Sequence, residues 1–324
     1  MRYIVTGGAG FIGHNVVRML EEQGHECLVI DSATDYGFIN KKEINYLINQ
    51  RKQRMRASVH HLDLRNHTDM LNFFRSFASQ CSAVIHLASF PRQKAVSKNP
   101  IWASDVMSTA LVNLLELTKT FKIPKFVYVS SSMVYGDFAD GVKEDAVCKP
   151  QGQYGIMKLM GEDLVRDYTK RGHFDHVIVR PSAVYGEYDV DDRVVSKFVL
   201  AAVRGETLKV NGADERLDFT HVEDTARGIS QAVQSVSAVN KTYIITFGNA
   251  RTLHDAAHLV VSIVRESKST ALIAPRDTNF PSRGTLDITA ARQDFGYNPQ
   301  INLEQGLAQY IDWLRNDPYW KTQI

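Results

Sequence analysis

Tyr154 and Lys158 are the two residues whose types and spacing point most directly to chemistry. Positions i and i+4 of a helix project from one face, so this spacing would place a phenol beside an ammonium group. A tyrosine with its ordinary pKa of about 10 is a poor base near neutrality, but a neighbouring cation stabilises the phenolate. The pair therefore favours a tyrosine that accepts a proton, although two unrelated surface residues would show the same spacing.

A strand-like apolar run, 126–129, ends in Ser130, Ser131 and Ser132 shortly before this pair. The carboxyl ends of parallel strands form the edge of the sheet at which ligands bind in open α/β folds. We therefore expect these hydroxyl groups and the Tyr154 phenol to meet at one site.

A glycine-rich loop follows the first apolar run, 3–6, and leads into a segment that is apolar at helical spacing. Gly7 permits a tight turn, Gly10 lets the backbone approach a ligand, and Gly13 lets the helix pack closely on the strand. The free N–H groups at the start of that helix would face a pyrophosphate. Asp31 ends the second apolar run, where a carboxylate accepts the ribose hydroxyls of adenosine and repels a 2′-phosphate. The sequence thus predicts NAD rather than NADP as a cofactor.

Apolar runs alternate with segments of helical periodicity over the first 180 residues. The runs predicted to be strands are 3–6, 26–31, 58–62, 83–87, 125–130 and 176–180. The segments predicted to be helices are 12–23, 40–53, 67–79, 101–121 and 153–172. Near-continuous apolar strands that alternate with helices indicate a parallel sheet covered on both faces. We therefore predict an α/β fold with a Rossmann-type doubly wound parallel sheet.

The alternation loosens after residue 181. The predicted helices there are 193–204, 223–235, 252–266 and 303–315, and the predicted strands are 207–210, 218–222 and 242–247. This stretch is too small for a second doubly wound sheet. It predicts a smaller mixed α/β domain, 181–324, that lies on the carboxyl edge of the first domain, 1–180, with segments around 222–249 returning to that first domain.

The overall composition is that of an ordinary globular protein. Of 324 residues, 38 are basic and 36 acidic, so the formal charge of +2 favours neither a nucleic-acid binder nor an acidic tail protein. Three widely spaced cysteines and the absence of a long apolar run predict a cytoplasmic protein without a membrane segment. The histidines lack the spacing of a metal site, so no metal is expected.

The segment 41–56 is basic and carries an apolar stripe that includes Ile44 and Ile48. A solvated surface helix is the plain interpretation. A contact with an anion or a membrane surface is the alternative, because basic amphipathic helices make such contacts.

Five motifs, in order along the chain, resemble those of the extended short-chain dehydrogenase/reductase family, in its branch of nucleotide-sugar epimerases and dehydratases. They are residues 6–13, 86–89, 130–136, 154–158 and 180–186, and the resemblance extends to 218–224 and 286–297. It covers essentially the whole chain and makes 181–324 mainly a nucleotide-sugar-binding domain. The implied partners are therefore NAD and a nucleotide-diphosphate sugar, and no nucleic acid.

The resemblance also implies roles for individual residues. It makes Ser131, Tyr154 and Lys158 the catalytic residues: Ser131 hydrogen-bonds to the oxidised hydroxyl, Tyr154 takes its proton, and Lys158 tunes Tyr154 and holds the nicotinamide ribose. The implied cofactor contacts are Gly7, Gly10, Phe11, Ile12, Gly13, Asp31, Ser32, Asp63, Leu64, Leu87, Ala88, Ser89, Tyr154, Lys158 and Pro181. The implied substrate contacts are Arg92, Ser131, Ser132, Phe198, Leu208, Val210, Arg216 and Arg283.

Departures from the family pattern bear on the reaction and the substrate. The 4,6-dehydratases of this branch carry an acidic pair where this chain has Ser132 and Met133, and methionine neither donates nor accepts a proton. A usual asparagine is replaced by Ala183, and Arg216 lies one residue before the usual position of an arginine. Arg283 is the preferred diphosphate ligand, because a planar guanidinium suits a diphosphate.

The sequence therefore predicts an NAD-dependent nucleotide-sugar 4-epimerase that works through a transient 4-keto sugar. The alternatives are a nucleotide-sugar C4 dehydrogenase that retains and recycles NADH, a 4,6-dehydratase, and a non-catalytic NAD-binding protein. The family resemblance further implies a homodimer formed by helices 101–121 and 153–172, whose apolar residues would alternatively face the sheet.

Overall fold

The computed structural model describes residues 1–37, 39–264, 268–278 and 280–323. Within these ranges the strands, numbered in chain order, are β1 (Arg2–Thr6), β2 (Glu26–Ile30), β3 (Val59–His60), β4 (Ala83–His86), β5 (Lys125–Val129), β6 (Asp175–Pro181), β7 (Val184–Tyr185), β8 (Leu208–Asn211), β9 (Arg216–Leu217), β10 (Thr220–His221), β11 (Lys241–Ile245), β12 (Arg251–Thr252) and β13 (Ala271–Ala274).

The α-helices described in the same ranges are α1 (Phe11–Glu22), α2 (Lys41–Gln53), α3 (His67–Phe77), α4 (Arg92–Lys98), α5 (Pro100–Ser104), α6 (Ala110–Thr120), α7 (Gln153–Lys170), α8 (Val194–Val203), α9 (Val222–Gln234), α10 (Leu253–Ile263), α11 (Thr289–Phe295) and α12 (Leu303–Asn316). A π-helical turn, Asp105–Thr109, joins α5 to α6. Short 3₁₀ turns cover Ser132–Val134 and Trp320–Thr322.

Seven strands form one parallel sheet in the order β11-β6-β5-β4-β1-β2-β3. In its centre Val5 of β1 lies opposite Val29 of β2 and Ile85 of β4, and all three side chains are fully buried. Such strands have no solvent face, which is why they read as continuous apolar runs. The prediction of a Rossmann-type doubly wound parallel sheet is confirmed.

Helices cover both faces of this sheet. The apolar stripes of α1 and α9 pack on one face, and those of α3, α6 and α7 pack on the other. A third apolar cluster joins α8, β8, α10 and α12 in the C-terminal part of the chain. The boundary at residue 180 between two domains stays a prediction.

The predicted helix 101–121 is interrupted. Pro100 occupies the first turn of α5, and the π turn that follows adds one residue to the helical ladder before α6 begins. The π turn sets the directions of the side chains around it, so that Val106 reaches the cavity described below while Met107 is buried in the core.

Side-chain caps define the ends of several other helices. Thr252 and Asn302 each accept a hydrogen bond from the backbone N–H three residues ahead, which starts α10 and α12 with capping boxes. The last two residues of the predicted helix 252–266 lie outside the described residues. Over the part of the chain that the structure describes, no helix combines the length and the apolarity that a membrane crossing requires.

Candidate active site

A cavity of about 800 Å³ opens at the carboxyl ends of β1, β2, β4, β5 and β6. The sheet order reverses beside β1, because the chain places β2 on one side of it and β4 on the other. Ligands of open α/β sheets bind at such a switch point. Every residue that the sequence analysis assigned to NAD lines this cavity.

The loop after β1 has the geometry of a pyrophosphate cradle. Gly7 has a φ of +71°, and a Cβ there would lie 2.6 Å from the backbone nitrogen of Ala88. A Cβ on Gly13 would collide with the carbonyl oxygen of Gly7. Only glycine fits at these two positions. Because the loop carries no side chain there, the N–H groups at the start of α1 are accessible to a phosphate. This close packing fits an NAD pyrophosphate.

Two carboxylates lie at the end of the cavity where the sequence predicts the adenosine of NAD. Asp31 follows β2 and accepts hydrogen bonds from the backbone N–H groups of Ala9 and Ala33, at 3.0 and 2.8 Å. Asp63 follows β3 and is held by the guanidinium of Arg65, with an Nη2–Oδ2 distance of 2.6 Å. The Arg65 hydrogen bond holds the pKa of Asp63 below its usual value, so this carboxylate stays ionised.

Ser131, Tyr154 and Lys158 converge on the opposite end. Ser131 directly follows the carboxyl end of β5, whereas Tyr154 and Lys158 lie one turn apart on α7. The side chains of Ser131 and Tyr154 lie close enough for Ser131 to lower the pKa of the phenol, and Ser131 Oγ accepts a hydrogen bond of 3.2 Å from the N–H of Met133. Lys158 Nζ lies 5.9 Å from the centre of the Tyr154 ring and donates a hydrogen bond of 2.8 Å to the carbonyl oxygen of Val129. The structure thus brings the three predicted catalytic residues together.

Burial shifts the pKa values of two of these groups. It raises the pKa of Tyr154, and the positive charge of Arg193 and the hydrogen bond from Ser131 oppose that rise. Burial also lowers the pKa of Lys158 to about 7, an effect that the charge of Glu162 opposes. Burial therefore disfavours the charged form of both groups, and pKa values perturbed in this way are typical of functional sites.

The wall next to Ser131 is polar but holds no acid at the two positions that follow it. Ser132 donates a hydrogen bond of 2.9 Å to the hydroxyl of Ser182, and both residues are buried. Met133 lines the same wall. Ala183 has a φ of +40°, a left-handed conformation that is strained for a residue with a Cβ.

The arginines predicted to contact substrate have different surroundings. Arg283 lines the cavity, and its Nε has no hydrogen-bond partner in the described residues. Arg92 also lines the cavity, but its guanidinium forms an ion pair of 2.6 Å with Asp192. Arg216 lies outside the cavity, where Asp140 binds it with two oxygens at 2.8 and 2.7 Å. Of these three arginines, only Arg283 combines a place at the cavity with an Nε that has no hydrogen-bond partner among the described residues.

The apolar residues predicted to enclose the base are only partly at the cavity. Phe198 of α8 lines it, whereas Leu208 and Val210 of β8 are fully buried in the third apolar cluster. Successive side chains of a strand alternate, so Lys209 and Asn211 face the cavity instead. The lysine between two apolar residues is the signal that gives the correct face of β8.

The charged residues of the cavity wall that no sequence motif predicts include Arg51, Asp189 and Arg193. Arg51 belongs to the basic segment 41–56, and its side chain is directed inward, while Lys41 and Lys42 at the start of that segment are exposed. Asp189 and Arg193 follow β7 in a loop without a motif. The approach of Arg193 to Tyr154 depends on the fold, and no local sequence signal indicates it.

A match to a family model identifies the class of this protein. The model of the NAD dependent epimerase/dehydratase family matches residues 3–246, so the chain belongs to that family. It is an enzyme of the extended short-chain dehydrogenase/reductase type, and NAD is its cofactor. The described residues hold no group of three or more His, Cys, Asp or Glu side chains that could bind a metal.

Relatives with different reactions resemble this chain equally. The UDP-glucuronate 4-epimerase of Thermodesulfobacterium geofontis is 26% identical over 324 residues, which cover 97% of this chain and 96% of that protein. The dTDP-glucose 4,6-dehydratase of Escherichia coli is 26% identical over 365 residues, which cover 100% and 96%. The crystal structure of UDP-glucuronic acid 4-epimerase from Bacillus cereus, with UDP-glucuronic acid and NAD, superimposes with a TM-score of 0.87 at 25% identity and full coverage of both chains. Overall similarity does not choose between epimerase and dehydratase, so the reaction is inferred from the site.

Proposed function

We propose that this protein is an NAD-dependent nucleotide-sugar 4-epimerase. The observation that carries the proposal is the convergence of Ser131, Tyr154 and Lys158 beside a wall in which Ser132 and Met133 occupy the two positions after Ser131. The site holds groups that can remove a proton from a sugar hydroxyl. Elimination also requires proton transfer at a sugar carbon, and Met133 has no group that could perform it.

The residues at the site would exchange one proton with the sugar 4-hydroxyl. Tyr154 would take the proton as a phenolate, and Ser131, which acts on the same phenol, would hold the same sugar oxygen. Lys158 stabilises the phenolate by its charge. NAD, when held by the glycine loop and Lys158, would supply a reversible hydride acceptor for C4, so the reaction would be redox-neutral overall. Inversion requires that the 4-keto sugar presents its other face before Tyr154 returns the proton.

A 4,6-dehydratase needs a further acid and base that eliminate water across C5 and C6. The hydroxyl of Ser132 is engaged with Ser182, and the Met133 thioether is a weak acceptor only. This chemistry favours epimerisation, or oxidation at C4 alone, over elimination.

The diphosphate of the substrate would bind to Arg283. Its guanidinium lies largely buried at the cavity, and burial lowers its pKa to about 10, so it stays charged at neutral pH. The charge of Glu215 offsets part of the cost of burying this cation, and an anionic ligand would offset more of it. Lys209 and Phe198 lie on the same side of the cavity and would contact the nucleotide. UDP-glucose and UDP-glucuronate are the first substrates to test, because relatives act on UDP sugars.

A homodimer formed through the helices around α6 and α7 is part of the proposal. Leu111, Leu114 and Leu115 of α6 are fully buried against the sheet and cannot form that contact. Val112 of α6 and Ile156 of α7 are exposed instead, with 37% and 53% of their surface accessible. Exposed apolar residues on two adjacent helices are typical of a helix-bundle interface.

The test is an assay of purified protein with a panel of nucleotide sugars. NMR of the sugar follows inversion at C4, and absorbance follows the reduced nicotinamide. Conversion to the 4-epimer without lasting reduction supports the proposal. Lasting reduction that only an added ketone or keto acid reverses would identify a C4 dehydrogenase, and a 4-keto-6-deoxy product would identify a dehydratase.

A further inference from the structure

Arg51 is a buried cation on the cavity wall that the proposed reaction does not use. It lies on α2 with 3% of its surface exposed. Its Nε and Nη2 both donate to the carbonyl oxygen of Tyr188, at 3.1 and 2.6 Å. In the described part of the chain, its Nη1 has no hydrogen-bond partner. One donor of the guanidinium is therefore available to a ligand.

Arg51 lies beside the first turn of α1. Tyr188, which accepts its hydrogen bonds, packs its ring edge-on against His14, with 5.8 Å between the ring centres. His14 Nδ1 in turn lies 3.0 Å from the carbonyl oxygen of Gly10, at the start of α1. Burial and the charge of Arg51 hold the pKa of His14 well below its usual value, so His14 is neutral. Arg51 is thus a cation beside this helix start, where the charges of Arg54 and Arg18 also act on His14.

Nearby carboxyl groups compensate the charge of Arg51 incompletely. Burial raises the pKa of Glu43 to about 8, which leaves this carboxyl largely neutral at pH 7. Asp189 is the carboxylate that acts most on Arg51, but it is shared with Arg193, whose Nε lies 3.9 Å from it. Burial lowers the pKa of Arg51 to about 10, so the guanidinium remains charged. A buried charge of this kind is stabilised by an anionic partner.

We propose that Arg51 is a ligand of the NAD pyrophosphate. The N–H groups of the glycine loop would bind one side of the pyrophosphate, and the free Nη1 of Arg51 would reach it from α2. The basic segment 41–56 would then make the anion contact that its composition predicts as the alternative to a solvated helix. The proposal rests on NAD binding, a property of the family, and holds for an epimerase or a dehydrogenase.

The competing ligand is the 2′-phosphate of NADP, because Arg51 and Asp31 line one cavity and interact electrostatically. Asp31 argues against it, since a carboxylate at the adenosine ribose repels a 2′-phosphate. Nucleotide fragments separate the two possibilities. Adenosine has no phosphate, ADP-ribose has the pyrophosphate, and 2′-phospho-ADP-ribose has the pyrophosphate and the 2′-phosphate.

The test variant is Arg51→Gln, and Arg54→Gln is its matched control. The Arg54 guanidinium lies 4.4 Å from the centre of the Tyr188 ring but is not at the cavity. Calorimetry on protein stripped of nucleotide measures the affinities for adenosine and for ADP-ribose. We expect Arg51→Gln to lower the affinity for ADP-ribose at least about tenfold, because a charged hydrogen bond is lost. The affinity for adenosine should stay within about twofold of the wild-type value. Arg54→Gln should change neither affinity.

Three results would overturn the proposal: an unchanged ADP-ribose affinity, an equal loss for adenosine and ADP-ribose, or a loss confined to 2′-phospho-ADP-ribose. If Arg51→Gln does not fold, Arg51→Lys replaces it, because lysine keeps the charge without the planar fork. The same selective loss for ADP-ribose, smaller in size, supports the proposal, and its absence overturns it. The wild-type affinity for ADP-ribose should also fall more steeply with salt than the affinity of the Arg51→Gln variant.

Discussion

The carboxylate of Glu162 binds the guanidinium of Arg180 through two hydrogen bonds, Nε–Oε1 at 2.8 Å and Nη2–Oε2 at 2.6 Å. Both side chains are at most 3% exposed. Glu162 lies one turn beyond Lys158 on α7, so one helix face carries the phenol, the ammonium and this buried carboxylate. The ion pair fixes α7 to β6 and thereby positions the catalytic residues at the edge of the sheet.

Glu162→Ala should destabilise the fold by about 3 kcal/mol or more, because removal of one partner leaves Arg180 as an unpaired buried charge. Chemical denaturation measures the change. The matched control is Asp163→Ala, whose carboxylate is 70% exposed and binds Arg166 at 3.2 Å. That variant should lie within about 0.5 kcal/mol of the wild type. Similar losses in the two variants would contradict the importance of the Glu162–Arg180 pair.

Tyr154→Phe should lower kcat by a factor on the order of 1,000, since it removes the group that takes the proton from the sugar. The NAD content of the purified variant should remain that of the wild type, because the other residues of the NAD site are unchanged. The assay is sugar epimerisation under saturating substrate, with NAD released by denaturation and quantified. Unchanged turnover would show that another group is the base.

Gly7→Ala should reduce both stability and NAD content. Its φ of +71° and the approach of Ala88 leave no room for a methyl group. The control is Gly24→Ala, a residue with a φ of +80° and no atom within 4 Å of an added Cβ. The control should cost about 1 kcal/mol of backbone strain and keep its NAD. Thermal unfolding and cofactor content measure the two effects, and equal behaviour of the variants would refute the close-packing argument.

The first half of the chain could be predicted because its signals are local. The glycine loop, the apolar strands and the i, i+4 spacing of Tyr154 and Lys158 each report their own backbone conformation. Parallel pairing then brings the strand ends to one edge, so the NAD-binding residues gather there without further information.

The substrate side was harder because its side chains are directed by partners distant in sequence. Arg92 is drawn to Asp192, 100 residues away, and Arg216 to Asp140, 76 residues away. Such pairs have no sequence signature. The orientation of β8 could have been predicted, because polar and apolar residues alternate around Lys209 and this alternation indicates which side chains face the cavity.

Ile156→Asp should convert a dimer into a monomer if α7 forms the interface. A charge at the centre of an apolar contact would be desolvated without a partner. Light scattering coupled to gel filtration gives the mass, to be compared with 36.5 kDa for one chain. The control is Val236→Asp, which replaces another exposed apolar residue, 87% accessible, at the end of α9. A wild-type protein that is monomeric, or a variant that remains dimeric, would exclude this interface.

Glu43→Gln should stabilise the protein at alkaline pH. Glu43 is 1% exposed, and its Oε1 accepts a hydrogen bond of 2.8 Å from the N–H of Asp191. Burial, reinforced by the charges of Asp191 and Asp189, raises its pKa to about 8 from an ordinary 4.5. Because the folded state favours the neutral carboxyl, its stabilising contribution is complete below about pH 4.5 and is lost as the pH rises through 8.

Glutamine keeps the acceptor and carries no charge, so the variant should lack this pH dependence. We expect wild type and Glu43→Gln to unfold alike at pH 4, and the variant to be more stable by about 4 to 5 kcal/mol at pH 9, because each pKa unit corresponds to about 1.4 kcal/mol. Unfolding measured across this pH range tests the difference, with the exposed neighbour Asn45→Gln as a control that should follow the wild type at every pH. A constant offset between wild type and Glu43→Gln would mean that side-chain packing, and not ionisation of Glu43, sets the effect.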